Sequence, residues 1–164
     1  MKNLALVFVV ALAFSSMAVA SDLALYIGPP NDGWYAAAQV VTDADTIVAE
    51  TGHLFNDVSL FDDTQLDDLG AWMDERMDDG KMDIVWLNGT MPSTLYPFPN
   101  LEADGSRAEL WLDGGNMLIN VADWFGYMSY EGGVRSADNG GTGAANILDL
   151  SSGIIVSAEV LHCR

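Results

Sequence analysis

The stretch Gly114-Gly115-Asn116-Met117-Leu118-Ile119-Asn120-Val121-Ala122-Asp123-Trp124-Phe125 decides how this chain is read. Two glycines end the preceding element. A short apolar run follows and stops at a polar bend. That is the profile of a buried strand delivered into a sheet by a turn. Residues 117–121 are expected to be that strand, and 123–130 the helix after it.

Working outward, the same alternation recurs. Leu23-Ala24-Leu25-Tyr26-Ile27 is a first apolar run, halted by Gly28-Pro29-Pro30-Asn31-Asp32-Gly33. Between 34 and 51 the period changes to that of a helix, with Ala37, Val40, Val41, Ala44, Ile47 and Val48 on one stripe and Gly52 after it. Residues 53–61 give a weaker strand signal. Thr64-Gln65-Leu66-Asp67 matches a capping box and opens a second helix. Its stripe is Leu66, Leu69, Met73 and Met77, with Trp72 at the flank and Gly80 at the end. Met82-Asp83-Ile84-Val85-Trp86-Leu87 is another strand, ending in Asn88-Gly89-Thr90. A proline-rich loop leads to a second capping box, Ser106-Arg107-Ala108-Glu109, and a short helix that ends at Gly114-Gly115. Residues 131–144 read as a glycine-rich loop, with Gly140-Gly141-Thr142-Gly143 as its mobile part. Residues 147–161 read as one or two further strands. Strands alternating with helices predict an α/β chain: a doubly wound, mostly parallel sheet with helices on both faces.

Composition narrows the partners. The 164 residues hold 24 Asp and Glu against 6 Lys and Arg, for a formal net charge of −18. So few cations cannot neutralise a phosphate track, so nucleic acid is not expected as a partner, and neither is an anionic membrane surface. Half the residues are hydrophobic, enough to build a core. The acidic residues around the second helix, among them Asp62, Asp63, Asp67, Asp68, Asp74 and Glu75, read as a solvated face rather than a metal site. No metal or cofactor is expected.

The amino terminus reads as an address. Lys2 precedes the apolar run 4–14, and Ala18-Val19-Ala20 is an A-x-A cleavage pattern. A signal peptide over 1–20 predicts export, to a periplasmic or extracellular location, with no stable membrane insertion after cleavage. The mature domain is expected over 21–164. Cys163 is the only cysteine and has no internal partner to pair with.

The strand-closing Ala24-Leu25-Tyr26 with Gly28-Pro29, the run Asn100-Leu101-Glu102-Ala103-Asp104-Gly105-Ser106-Arg107-Ala108-Glu109-Leu110, and the Gly114–Phe125 stretch together resemble the class I glutamine amidotransferase-like superfamily. The nearest branches are the biotin-protein-ligase N-terminal-like and ThuA-like proteins. The resemblance covers roughly 22–160. It implies a flavodoxin-like fold and a strand-to-helix elbow that carries a Cys nucleophile. Aligning Gly114-Gly115 places Val121 at that nucleophile position. Valine has no nucleophilic atom, so the resemblance implies the fold and the location of a site without its thiol chemistry. The family's His partner lies near or beyond a late strand. This chain ends at His162-Cys163-Arg164, where family members commonly continue.

Ligands of open parallel sheets bind outside the carboxyl ends of the strands. Three loops meet that rule: the one holding Asp32, the one holding Asn88, Gly89 and Thr90, and the one holding Val121, Ala122, Asp123 and Trp124. Together they offer carboxylates, an amide, a hydroxyl, an indole and backbone N–H groups, which suits a small polar ligand. Asp32 and Asp123 equally suit helix N-caps. The resulting expectation is a non-catalytic binding or accessory module. The enzymatic alternative is a hydrolase in which Asp123 acts with Asp32 or Asn88 and a water or metal.

Overall fold

The computed structural model describes residues 21–30, 35–97, 105–121, 123–136 and 140–150. The expected signal peptide, Asp32, Ala122, Cys163 and most of the expected 147–161 strand region lie outside the described residues.

Four short strands form a parallel sheet: β1 (Leu23–Tyr26), β2 (Val58–Phe61), β3 (Ile84–Leu87) and β4 (Met117–Asn120). Their order is β2-β1-β3-β4. β1 is therefore interior, and its neighbours are in step, with Tyr26 beside both Phe61 and Leu87, and Leu87 beside Asn120. All four residues of β1 are buried, as expected of a strand covered on both faces.

Alternation along the strands divides the core in two. Ala24, Tyr26, Val85 and Leu87 join Leu69, Trp72 and Met73 of α2 (Leu66–Arg76) and Ala108 and Trp111 of α3 (Arg107–Asp113). Leu23 and Leu25 face the other way, where α1 (Ala37–Thr51) buries Val40 and Ala44. The apolar stripe of α1 is narrower than its sequence period suggests, because Val41 is half exposed. Trp72, at the flank of the α2 stripe, is part of the core. It stacks edge-on with Phe61 and tilts against Trp111 at 5.8 Å.

The two capping boxes fare differently. Ser106 is the N-cap of α3, and its hydroxyl accepts the Glu109 N–H at 3.3 Å. The Glu109 carboxylate reaches back one residue further than the motif requires, to Gly105 N–H at 2.7 Å. Ser106→Ala is therefore expected to lower the unfolding free energy by about 1 kcal/mol in urea denaturation. Thr64 caps nothing. Its hydroxyl and N–H both donate to Asp62 Oδ1, and α2 begins two residues later, after Gln65. The Asp62 side chain offers the turn a local partner that outcompetes the cap.

Beyond β4 the expected order fails. Residues 123–130 form no helix. They make a turn, closed by Tyr127 N–H to Trp124 O at 3.1 Å, that runs into β5 (Ser129–Glu131). β5 pairs antiparallel with β6 (Val134–Ser136) through Gly132 and Gly133, both at positive φ, so part of the expected glycine-rich loop is a hairpin. From Gly140 the described residues form α4 (Gly140–Ile147), which the expected mobile Gly140–Gly143 segment begins. Buried Ala144, Ala145 and Ile147 outweigh the low helix propensity of its glycines. Gly126 lies so close to Gly143 and Ala144 that a side chain there would overlap their backbone. No helix among the described residues is long and apolar enough to cross a membrane.

Candidate functional site

Because every strand of the sheet points the same way, the segments after Tyr26, Phe61, Leu87 and Asn120 emerge along one edge. The order changes direction at β1: β2 lies on one side of it and β3 on the other. The crevice rule for open sheets therefore points to the carboxyl ends of β1 and β3.

There the two chains run against each other. Asn88 N–H donates to Tyr26 O at 2.9 Å, and Thr90 N–H to Pro29 O at 2.9 Å. A Cβ on Gly89 would sit 2.6 Å from Gly28 O, and one on Gly28 would collide with the Tyr26 ring. Glycine at both positions lets the loops close over the tyrosine.

Three side chains at this seam are buried, each with a polar atom that has no partner: Tyr26 OH, Asn88 Oδ1 and Thr90 Oγ1. Asn88 commits its NH₂ to Val40 O of α1 at 3.4 Å, so its remaining oxygen can only accept. Such atoms are costly when unsatisfied, by about 1–3 kcal/mol each. The loop after β2 adds Asp63, whose carboxylate accepts the Tyr130 hydroxyl at 2.9 Å. Burial, followed by the charge of Asp63 and the neighbouring Tyr130 and Asp62, pushes the Tyr26 phenol well above its ordinary value, so it stays protonated.

The structure thus runs the backbone of Asn88, Gly89 and Thr90 beside that of residues 26–29, with the Tyr26 side chain on the α2 and α3 face and the Asn88 amide on the α1 face. Val121 joins them on the adjacent strand, its N–H donating to Leu87 O at 3.2 Å, and its aliphatic side chain is 52% exposed. Asp123 serves the bend itself. Its Oδ1 accepts the Trp124 N–H at 2.7 Å, and its carbonyl accepts the Asn120 amide at 2.5 Å. No helix follows it, so it is not an N-cap. Trp124 stacks edge-on with Tyr127 at 4.9 Å and stays 42% exposed, so its indole is largely at the surface.

Sequence reasoning missed Tyr26, Asp63 and Tyr130. The available signal was a tyrosine as the last residue of an otherwise aliphatic buried strand, since a phenol tip there needs a polar neighbour.

A cavity of about 380 Å³ lies elsewhere, between α2 and α3, and includes Asp74, Thr94, Ser106 and Arg107 in its wall. Arg107 spans it as a brace. Its guanidinium donates to both oxygens of Asp74 at 2.8 and 3.1 Å, and to the Thr94 carbonyl and hydroxyl at 2.5 and 2.8 Å. That contact holds the Asp74 carboxyl below the usual range. The groups are spent on one another, and we read this cavity as structural. Among the described residues, no group of three or more His, Cys, Asp or Glu is placed to hold a metal ion.

No protein-family model, curated protein or solved structure matches the chain.

Proposed function

We propose that this chain is an exported accessory module that binds a small polar ligand at the carboxyl ends of β1 and β3 and performs no thiol chemistry. The observation that carries this reading is the set of three buried, unpartnered polar atoms on Tyr26, Asn88 and Thr90 at the point where strand order reverses. A ligand at this edge, with water recruited around it, would satisfy the atoms on the face of the sheet that it meets.

The order β2-β1-β3-β4 is the beginning of the flavodoxin-like order, which supports kinship with the amidotransferase-like superfamily. Val121, exposed at the exit of β4, stands where that family carries its nucleophile and offers only methyl groups. The kinship departs at the bend, where a turn and a hairpin replace the elbow's helix. The hydrolytic alternative draws no support from Asp123, one of whose carboxylate oxygens is engaged in the bend.

The test is a thermal-shift screen of small polar compounds on the exported protein, followed by titration of any compound that raises Tm. A compound at about 100 times its Kd should add about 2.7 kcal/mol to native stability. Thr90→Val, nearly the same shape without the hydroxyl, should weaken binding about tenfold and leave the fold intact. Glutamine, simple amides and esters should not be turned over. Turnover abolished by Asp123→Ala would sink the non-catalytic reading and favour the hydrolase.

A further inference from the structure

At the opposite edge of the sheet, two buried aspartates are joined through a backbone N–H. Asp22 precedes β1 and Asp83 precedes β3, and the Asp22 N–H donates to Asp83 Oδ1 at 2.6 Å. Asp83 is fully buried, and Asp22 nearly so. The Asp22 carbonyl accepts the Ile84 N–H at 3.0 Å, and its side chain faces Arg76 of α2, whose Nε donates to Asp22 Oδ2 at 3.1 Å while its guanidinium stacks over Trp72 at 4.4 Å. Asp22 Oδ1 and Asp83 Oδ2 are both buried with no partner. Asn116 fixes the arrangement from the β4 side. Its Oδ1 accepts the Asp83 N–H at 2.9 Å, and its Nδ2 donates to Met77 O at 3.2 Å.

The charges around this point do not balance. Asp22, Asp83, Asp79 and Glu75 face two cations, and both cations are shared. Lys81 is paired with Asp79 at 3.0 Å, and Arg76 also reaches Glu75 at 3.5 Å. A buried carboxylate without its own counter-charge is expensive, and protonation relieves it. Asp83 has no cation of its own, and a proton on its unpartnered Oδ2 would remove the uncompensated charge.

We propose that Asp83 is protonated in the folded protein, and that this uncharged carboxyl, accepting the Asp22 N–H, latches the amino-terminal ends of β1 and β3. Arg76 is spent on Asp22 instead. Burial, with Asp79 and Asp22 nearby, raises the Asp83 carboxyl above the ordinary range and supports the same assignment.

The sign follows from linkage. A group whose folded pKa lies above its unfolded value stabilises fully below the unfolded value, and that stability is lost as pH rises through the folded pKa. The latch therefore holds in acid and loosens toward alkaline pH. The carboxyls of Asp74 and Asp79, which are lowered, act in the opposite direction in acid, so the difference between two proteins is the informative quantity.

Asp83→Asn keeps the acceptor for Asp22 N–H and supplies a permanent donor in place of the proton. Urea unfolding of both proteins between about pH 4 and pH 8 should show the wild-type folding constant falling relative to the variant as pH rises. Carbon-13 NMR of the wild-type carboxyls should show Asp83 titrating above the exposed aspartates, and Asp22→Asn should move that midpoint down. Parallel stability curves, or an Asp83 carboxyl that titrates with the exposed ones, would overturn the proposal. The NMR arm needs no variant, so misfolding of Asp83→Asn leaves the test decisive. The latch lies across the sheet from the proposed ligand seam, so either reading can fail without the other.

Discussion

Trp111→Ala is expected to remove about 3–5 kcal/mol of unfolding free energy, which for a domain of this size is a large part of the total. Trp111 is fully buried and is among the largest side chains in the core. It lies against Trp72, so its removal opens a void that a second rigid ring cannot fill. It also holds the sheet directly, because its indole N–H donates to Met117 O at 2.9 Å. β4 has one strand neighbour within the described sheet, so it depends on α3 more than an interior strand would. Urea denaturation should show the midpoint falling sharply. Trp111→Phe keeps much of the ring and loses the hydrogen bond, and should cost less than half as much. Equal losses in the two variants would mean that the hydrogen bond, rather than the packed volume, carries the effect.

Gly89→Ala should be the next most damaging change, at about 2–3 kcal/mol or more. The added methyl would lie 2.6 Å from Gly28 O and 2.7 Å from Gly28 C. Both are backbone atoms, so no side chain can swing away to make room. The segments after β1 and β3 would have to part, straining Thr90 N–H to Pro29 O and Asn88 N–H to Tyr26 O. Those bonds hold the proposed seam together, so binding of any compound found in the screen should fall together with stability. Gly52→Ala is the control. Its backbone is ordinary helix (φ −55°), and its nearest neighbour would be 3.6 Å away, so its stability should change by less than about 0.5 kcal/mol. Thermal unfolding of the two variants, with and without a compound from the screen, separates the seam from a general sensitivity to alanine.

Much of the sheet was legible from local pattern. Leu23–Tyr26, Ile84–Leu87 and Met117–Asn120 are apolar runs bounded by turn residues, and all three are strands. Ser106 was readable as a cap because a hydroxyl three residues before a glutamate has little else to do there. Beyond Asn120 the local signals misled. Asp123-Trp124-Phe125-Gly126-Tyr127 has the polarity of a helix start, yet Asn120 and Asp123 tie it into a bend, and Tyr130 is drawn to the 91–93 segment, where it exchanges hydrogen bonds with Met91 and Ser93. Gly140-Gly141-Thr142-Gly143 has loop composition and becomes helix because Ala144, Ala145 and Ile147 find a core to enter.

The site divides in the same way. Asn88, Gly89, Thr90 and Val121 follow from the rule that loops after parallel strands share one edge, and that rule needs only the strand order. Tyr26 and the Asp22–Asp83 contact do not follow from it: a tyrosine ending an aliphatic strand signals a phenol in need of a polar neighbour, but nothing local marks which distant groups will meet it or be left without partners. By itself the sequence determined the alternation of strand and helix, the acidity and the aliphatic residue at the end of β4, because these rest on the period and chemistry of neighbouring residues. Only the tertiary structure decided which distant groups are buried together, because hydrogen-bond satisfaction is a property of contacts between segments some 60 residues apart, such as Asp22 and Asp83.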